Sequence, residues 1–117
     1  MLSSAEISQA IEEGEILVSL EVYANHPLYV YARVDSGASM SSIDYRLVSM
    51  ITDYSDDTII YTDKTKVIKS SLGKEERSVV LTTFAWADSV FELEMNSADR
   101  SKVSCPILLG RDWLGTN

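Results

Sequence analysis

Residues 28–38 read Leu-Tyr-Val-Tyr-Ala-Arg-Val-Asp-Ser-Gly-Ala, an alternating apolar run that leads directly into an acid. Alternation with a period of two is typical of a half-buried β-strand, so 28–34 is predicted to be a strand that ends at Asp35. Glycine lets the main chain fold tightly, and the backbone N–H groups of such a turn can hold a carboxylate. The stretch therefore predicts a strand that delivers Asp35 into a tight loop formed by Ser36, Gly37 and Ala38.

A second stretch, residues 107–112, reads Ile-Leu-Leu-Gly-Arg-Asp near the end of the chain. It predicts a short buried strand over 106–109 and a helical turn over 111–114. Two carboxylates that share one proton can hydrolyse a peptide bond, because the ionised one activates water while the protonated one polarises the carbonyl. The chain has one such acid motif, so this chemistry would need Asp35 from a second copy. The structural alternative is that Asp35 only caps its own loop as an Asx turn.

The rest of the sequence predicts short strands and little helix. Ser3 with Glu6 forms a capping-box pattern, which indicates a short helix or arm over 5–13. Further strands are predicted at 15–23, 58–61, 65–68, 78–86 and 90–95, with turns at 24–27, 62–64, 71–74 and 87–89. The pattern predicts an all-β, closed or nearly closed barrel over 15–117, with a short C-terminal helical turn, preceded by an N-terminal arm or short helix over 1–14.

Length, charge and composition argue against several classes of function. A chain of 117 residues forms one domain, and its net charge of -8 with ten scattered basic residues argues against nucleic-acid binding. We expect neither a secretory leader nor a membrane span, because no stretch has the required run of apolar residues, and we predict a cytoplasmic location. The single cysteine, Cys105, cannot form an intramolecular disulfide.

Other reactive residues carry weaker motifs. Ser36 would need a base to act as a nucleophile, and the one histidine, His26, lies in an Asn-His-Pro turn. The acidic segment 53–57 fails as a calcium loop, because Thr58 stands where glycine is required and Lys64 where a glutamate is required. One His and one Cys in unrelated segments do not make a zinc site, and no Gly-rich loop can hold a phosphate. The residues therefore predict no metal and no cofactor.

Taken together, these motifs resemble the retropepsin-like aspartic proteases, and within them most closely a bacterial and phage family labelled ATP-dependent zinc protease. The resemblance is carried by Arg33 to Ala38 with Ser41-Ser42, by 71–80 and by 98–111. The Gly-Arg-Asp at 110–112 also resembles the terminal helix of retroviral and retrotransposon proteases.

The resemblance implies that the chain folds as a single-lobe acid-protease barrel. It also implies a homodimer that hydrolyses an extended peptide with one catalytic Asp35 from each chain. It implies that Asp35 is held by an active-site loop of Ser36, Gly37 and Ala38. It further implies structural support for that loop from Gly110, Arg111 and Asp112, and a possible substrate groove lined by Arg77 and Arg100. An ATP-grasp ligase is a possible partner by the same analogy.

The sequence departs from the family pattern at Ser39, where the bacterial family has arginine and retroviral enzymes often have aspartate. Arg111 would then need another acid, and we predict Asp44 or Asp99. The retroviral strand that follows the Gly-Arg helix and knits the dimer has no counterpart here, so dimerisation is predicted to use another surface, such as 1–13.

Two questions stay open in the sequence. The flap over the peptide is predicted either around Asp63-Lys64 or at the turn around Gly73. The function has two alternatives to a peptidase: a non-catalytic binding or adaptor module that keeps the barrel as a monomer, and a metal-dependent hydrolase.

Overall fold

The computed structural model describes residues 2–23 and 25–115, and at Ser70 the backbone alone. Within those residues, the helices are α1 (Ser4–Glu13), α2 (Tyr45–Thr52) and α3 (Arg111–Leu114). The strands are β1 (Glu15–Tyr23), β2 (His26–Val34), β3 (Ser42–Asp44), β4 (Ile59–Ser70), β5 (Gly73–Trp86), β6 (Ser89–Ala98) and β7 (Ile107–Leu109). Met1, Ala24 of the predicted 24–27 turn, Thr116 and Asn117 lie outside the described residues.

Six of the described strands close into a barrel in the order β1-β2-β7-β3-β6-β5, and β5 returns to β1 through the pair Ser19 and Ala85. Strand β4 adds to the outer side of β5. The predicted all-β barrel with a short C-terminal helix is therefore confirmed.

Alternation in the sequence becomes burial in the barrel. In β1 the even-numbered apolar residues Ile16, Val18 and Leu20 are buried while Leu17 is exposed, as a strand with one face on the core requires. Phe84 of β5 and Phe91 of the neighbouring β6 stand directly opposite each other, and their rings stack with centroids 5.4 Å apart. Trp113 of α3 packs against Phe84, Trp86 and Phe91 and closes the core at that side.

Helix α1 begins with the predicted capping box. Ser3 Oγ accepts from the Glu6 N–H, and the Glu6 carboxylate accepts from the Ser3 N–H. This satisfies two backbone donors that a helix start leaves without intrahelical partners. Leu2 and Ala10 are buried, so the helix lies on the chain's own barrel.

The β4–β5 region corrects one prediction. Residues 62–64 were expected to be a hairpin turn, but β4 runs through them with a register shift between Tyr61 and Thr65. The hairpin turns at Ser71-Leu72 instead, where Ser70 pairs with Gly73. Turn-forming residues at 62–64 form an irregularity within the strand because Thr62 Oγ1 donates to the Val79 carbonyl of β5, at 2.7 Å.

The predicted hairpin at 78–95 is confirmed as β5 and β6, joined at Ala87 and Asp88. Both of these residues have positive φ, 51° and 64°, which is the geometry of a two-residue type I′ turn. Strand β6 runs on to Ala98, into the segment predicted to be a linker.

Candidate active site

Asp35 lies at the end of β2, where this strand pairs in parallel with β7. The Asp35 N–H donates to the Leu109 carbonyl at 2.9 Å and so extends the pairing by one residue. On the other side of β2, the Val34 N–H donates to the Gly14 carbonyl at 2.8 Å, where α1 ends. Three segments that are distant in sequence therefore fix the backbone that presents the acid.

The Asp35 carboxylate is half-buried and is held at one oxygen. Its Oδ1 accepts from the Gly37 N–H at 2.8 Å, and its carbonyl accepts from the Ala38 N–H at 3.2 Å. Among the described residues no other group donates to this carboxylate. The loop thus leaves the second oxygen available to water, to a ligand or to another carboxylic acid.

Gly110 sits directly against the Asp35 loop. The Arg111 N–H donates to the Ala38 carbonyl at 2.8 Å. A Cβ on Gly110 would lie 2.6 Å from the Ala38 oxygen, a distance at which the backbone would have to shift. Position 110 therefore requires glycine because of the close approach, even though its φ of -100° is open to any residue.

Ser41 connects the loop to the terminal helix and is fully buried. Its Oγ accepts from the Gly110 N–H at 2.9 Å and donates to Asp112 Oδ1 at 2.6 Å. Its N–H donates to Asp112 Oδ2 at 2.9 Å. Asp112 Oδ1 also accepts from the Trp113 N–H within α3, at 2.9 Å. We call Ala38, Ser41, Gly110, Arg111 and Asp112 the loop lock.

Asn96 of β6 braces the loop lock from behind. Its backbone and side-chain N–H groups donate to the Ser41 carbonyl at 3.1 Å and 3.0 Å. Its Oδ1 accepts from Arg77 at 3.0 Å. The sequence did not single out Asn96, because the predicted strand ended at 95 and Asn96 fell in the predicted linker, whereas β6 runs on through it.

Arg111 does not bind the acids predicted for it. Its Nη1 donates to the Ser36 carbonyl at 3.2 Å, and no carboxylate of the described residues forms an ion pair with it. Asp44 and Asp99 instead bind Arg46, at 2.8 Å and 2.6 Å. The prediction was wrong because Arg46 lies only two residues from Asp44. Two side-chain nitrogens of Arg46 and its backbone N–H all donate to the Asp44 carboxylate.

Asp44 and Asp99, the two acids that bind Arg46, are both stabilised in their charged form. Hydrogen bonds from the Arg46 side chain, and from the Arg100 N–H, lower the pKa of Asp44 from 3.8 to about 2. The pKa of Asp99 is lowered chiefly by hydrogen bonds from Ser101 and then from Arg46.

Arg77 and Arg100 were predicted to line a groove. The pKa of Arg100 is lowered chiefly by burial, and to a smaller extent by the nearby charge of Arg77. Arg100 donates to the Cys105 carbonyl at 2.9 Å and to Ser42 Oγ at 3.3 Å. Arg77 donates to Asn96 and to Glu75, and its Nε is buried without a hydrogen-bond partner. The structure thus brings both arginines to the strands behind the loop lock.

Comparisons with known proteins bear on the fold. The simian foamy virus (mac) protease, known from a solution structure, matches with a TM-score of 0.58 and 20% identity over 88% of this chain and 97% of that one. A Legionella pneumophila protein of unknown function (DUF785) matches with a TM-score of 0.54 and 20% identity over 86% and 83%. The chain has the fold of a single retropepsin-like lobe. No model of a protein family and no curated protein matches its sequence.

The retropepsin-like fold confirms the broader part of the sequence resemblance, while membership of the bacterial and phage family is not shown. Among residues 2–23 and 25–115, no helix is long and apolar enough to cross a membrane. The same residues form no group of three or more His, Cys, Asp or Glu side chains that could hold a metal ion.

Proposed function

We propose that the protein is a homodimeric aspartic-type peptidase in which one Asp35 from each chain activates a shared water. The observation that supports this is the loop geometry: the Gly37 amide holds one Asp35 oxygen at 2.8 Å and leaves the other free at the end of a rigidly paired strand. The retropepsin-like fold agrees with it.

The chemistry follows from bringing two such carboxyl groups together. Two acids at hydrogen-bonding distance hold one proton between them, because two adjacent negative charges repel each other. The ionised acid takes a proton from water as the water oxygen attacks the peptide carbonyl carbon, and the protonated acid donates to the carbonyl oxygen. Collapse of the tetrahedral intermediate breaks the C–N bond, and a proton passes to the leaving amine.

The other site residues would act through position. Ser36, Gly37 and Ala38 form the loop that carries Asp35, and Gly110, Arg111 and Asp112 hold it in place through the contacts of the loop lock. Nη1 of Arg111 donates to Ser36 and its other nitrogens have no partner in the described residues, so they are available to a second copy.

The β4–β5 hairpin would serve as the flap that covers a bound peptide. It extends beyond the barrel to a tip at Ser71-Leu72, where Leu72 is 98% exposed. An extended peptide between the flap and the two Asp35 loops would bind as an added strand. Arg77 and Arg100 would lie at the inner end of this cleft. An ATP-grasp ligase partner stays a prediction.

The test is Asp35→Asn, which keeps an oxygen for the Gly37 amide. We expect peptide hydrolysis to fall by about a thousandfold or more with the thermal unfolding midpoint nearly unchanged. The matched control is Asp88→Asn, an exposed aspartate in the turn between β5 and β6, at the opposite end of β5 from the flap tip, which should retain full activity.

Sedimentation of the same proteins tests the assembly. A dimer at the concentrations that give activity is expected, and mixing wild-type with Asp35→Asn chains should give inactive mixed dimers. A chain that stays monomeric and cleaves no peptide from a diverse library would instead indicate the non-catalytic binding module.

A further inference from the structure

A concave surface lies at the other end of β2 from Asp35. From His26 at its rim to Asp35 the chain spans up to roughly 30 Å at the rise of a β-strand. The first part of this concave surface is a groove of about 420 Å³ on the outer face of the barrel. The small side chains of Ser19, Thr83 and Ala85 form its floor, where β1 and β5 pair only once before they diverge.

A second hollow of about 370 Å³ continues the groove, since Glu21 and Asp57 line both. Its walls include Tyr23 and Tyr54, whose rings lie 5.2 Å apart at 61°. Both rings are more than half exposed, at 51% and 56%. An edge-on pair of tyrosines leaves ring faces open to a cation in water.

The combined surface, which we call the acidic groove, carries charge of one sign. Its carboxylates are Glu21, Asp56, Asp57 and Glu92, and no lysine or arginine lines either hollow. Glu21 and Asp57 accept only from the Asn25 N–H and the Ser55 hydroxyl, so neither is neutralised by a cation. Four other carboxylates of the described chain, Asp44, Glu75, Glu94 and Asp99, do meet a basic side chain.

We infer that the acidic groove binds an extended, lysine- and arginine-rich segment of a partner protein. A guanidinium would stack on Tyr23 or Tyr54 beside Asp56, and the next basic side chains would reach Glu21 and Glu92 across the floor of small residues. Three features favour this occupant together: two hollows that join along Glu21 and Asp57, exposed aromatic faces, and carboxylates without an ion pair among the described residues. The inference does not depend on the proposed peptidase activity, because the groove and Asp35 lie at opposite ends of β2.

The experiment measures binding of a fluorescein-labelled hexapeptide of alternating arginine and lysine by fluorescence anisotropy, with ¹⁵N chemical shifts to map the site. We expect shifts confined to 19–27, 54–58 and 83–92. The double variant Glu21→Gln/Glu92→Gln and the variant Tyr54→Ala should each raise the Kd at least fivefold.

Matched controls separate a site from general attraction to an acidic protein. Glu12→Gln/Asp63→Asn removes the same charge from exposed positions outside the groove, and Tyr29→Ala removes an exposed tyrosine of β2. Each control should change the Kd less than twofold. Asp35→Asn should bind the peptide as the wild type does, whether or not it abolishes hydrolysis.

Three results would overturn the inference. Equal weakening by groove and control variants would show unspecific electrostatic attraction. Chemical shifts centred on the Asp35 loop would place the peptide in the other site. Self-association that the groove variants abolish would identify the occupant as the basic β4–β5 hairpin of a second copy.

Discussion

The Asp35 end of the barrel binds its polar groups internally, whereas the outer part of the β4–β5 hairpin presents its side chains to solvent. In the loop lock, Ser41 is fully buried and makes hydrogen bonds to Asn96, Gly110 and Asp112. In the hairpin, Lys66 stands directly opposite Arg77, and Lys69 opposite Lys74. Like charges in directly opposed positions destabilise a β-ladder. The first region is held by its own hydrogen bonds, whereas the second retains unfavourable pairs of like charge.

The charge distribution supports the same contrast. The ten basic residues are not evenly scattered as expected, because half of them fall between Lys64 and Arg77, in a chain of net charge -8. Only Lys64 and Arg77 of these five meet a carboxylate in the described structure, Glu94 and Glu75 respectively. The hairpin is therefore the basic part of an acidic protein.

We expect the largest effect, a loss of stability, on substitution of Gly110 in the loop lock. Gly110→Ala places a Cβ 2.6 Å from the Ala38 oxygen, so we expect the free energy of unfolding to fall by about 3 kcal/mol, as overpacking of a well-packed site does. Urea denaturation measures it. The control is Gly115→Ala, which has φ of +75° but open space around its Cβ and should cost only about 1 kcal/mol. Equal losses would mean that contact with the loop is not what requires glycine at 110.

A smaller effect is expected in the pH dependence of folding stability, through the Asp44 carboxylate. The folded pKa of Asp44, about 2, lies below its ordinary 3.8, so this group stabilises the fold above pH 3.8 and the contribution disappears as pH falls toward 2. Because Arg46 is about half exposed, solvent screening reduces the contribution to about 1 kcal/mol. The unfolding free energies of wild type and Asp44→Asn should therefore converge by roughly two thirds of that amount between pH 5 and pH 2.5, because the folded pKa lies just below the lower pH.

Urea titrations at both pH values measure this convergence. Asp63→Asn, which removes a carboxylate without an ion pair in the described structure, should show a constant difference from wild type. If the Asp44→Asn difference were also constant, Arg46 would not be holding the acid ionised.

The smallest effect tests the hairpin. Lys74→Glu converts the opposed pair with Lys69 from like to unlike charges, so we expect hydrogen exchange of the β4–β5 amides to slow by the equivalent of about 0.5 kcal/mol. Lys102→Glu changes the same charge in an exposed loop and should leave those amides unaffected. Identical exchange in both variants would show that Lys69 and Lys74 do not interact.

The sequence predicted local features that are decided by neighbouring residues. Strands β1 and β2, the turn at Ala87-Asp88 and the capping box of α1 follow from alternation and from short-range chemistry, and the structure confirms them. The polar triplet at 62–64 misled the prediction because pairing with β5 outweighs its turn preference.

Long-range partners were beyond the reach of sequence patterns. Arg111 belongs to a recognisable motif, but the sequence does not indicate that its side chain binds the Ser36 carbonyl. Arg46, which forms ion pairs with Asp44 and Asp99, belongs to no motif. The position of Ser41 in the retropepsin-like segment was visible, but its bonds to Asp112 and Asn96 depend on how three segments meet.

The bonds between Ser41 and Asp112 join residues 71 positions apart, and the parallel pairing of β2 with β7 spans a similar distance. During synthesis, the acid therefore emerges from the ribosome long before the strand and helix that hold it in place. Such distant closure is slow compared with local hairpin formation. A nascent chain not yet synthesised as far as Asp112 would thus carry Asp35 without a fixed loop, so any hydrolytic competence would require that segment to be made and folded.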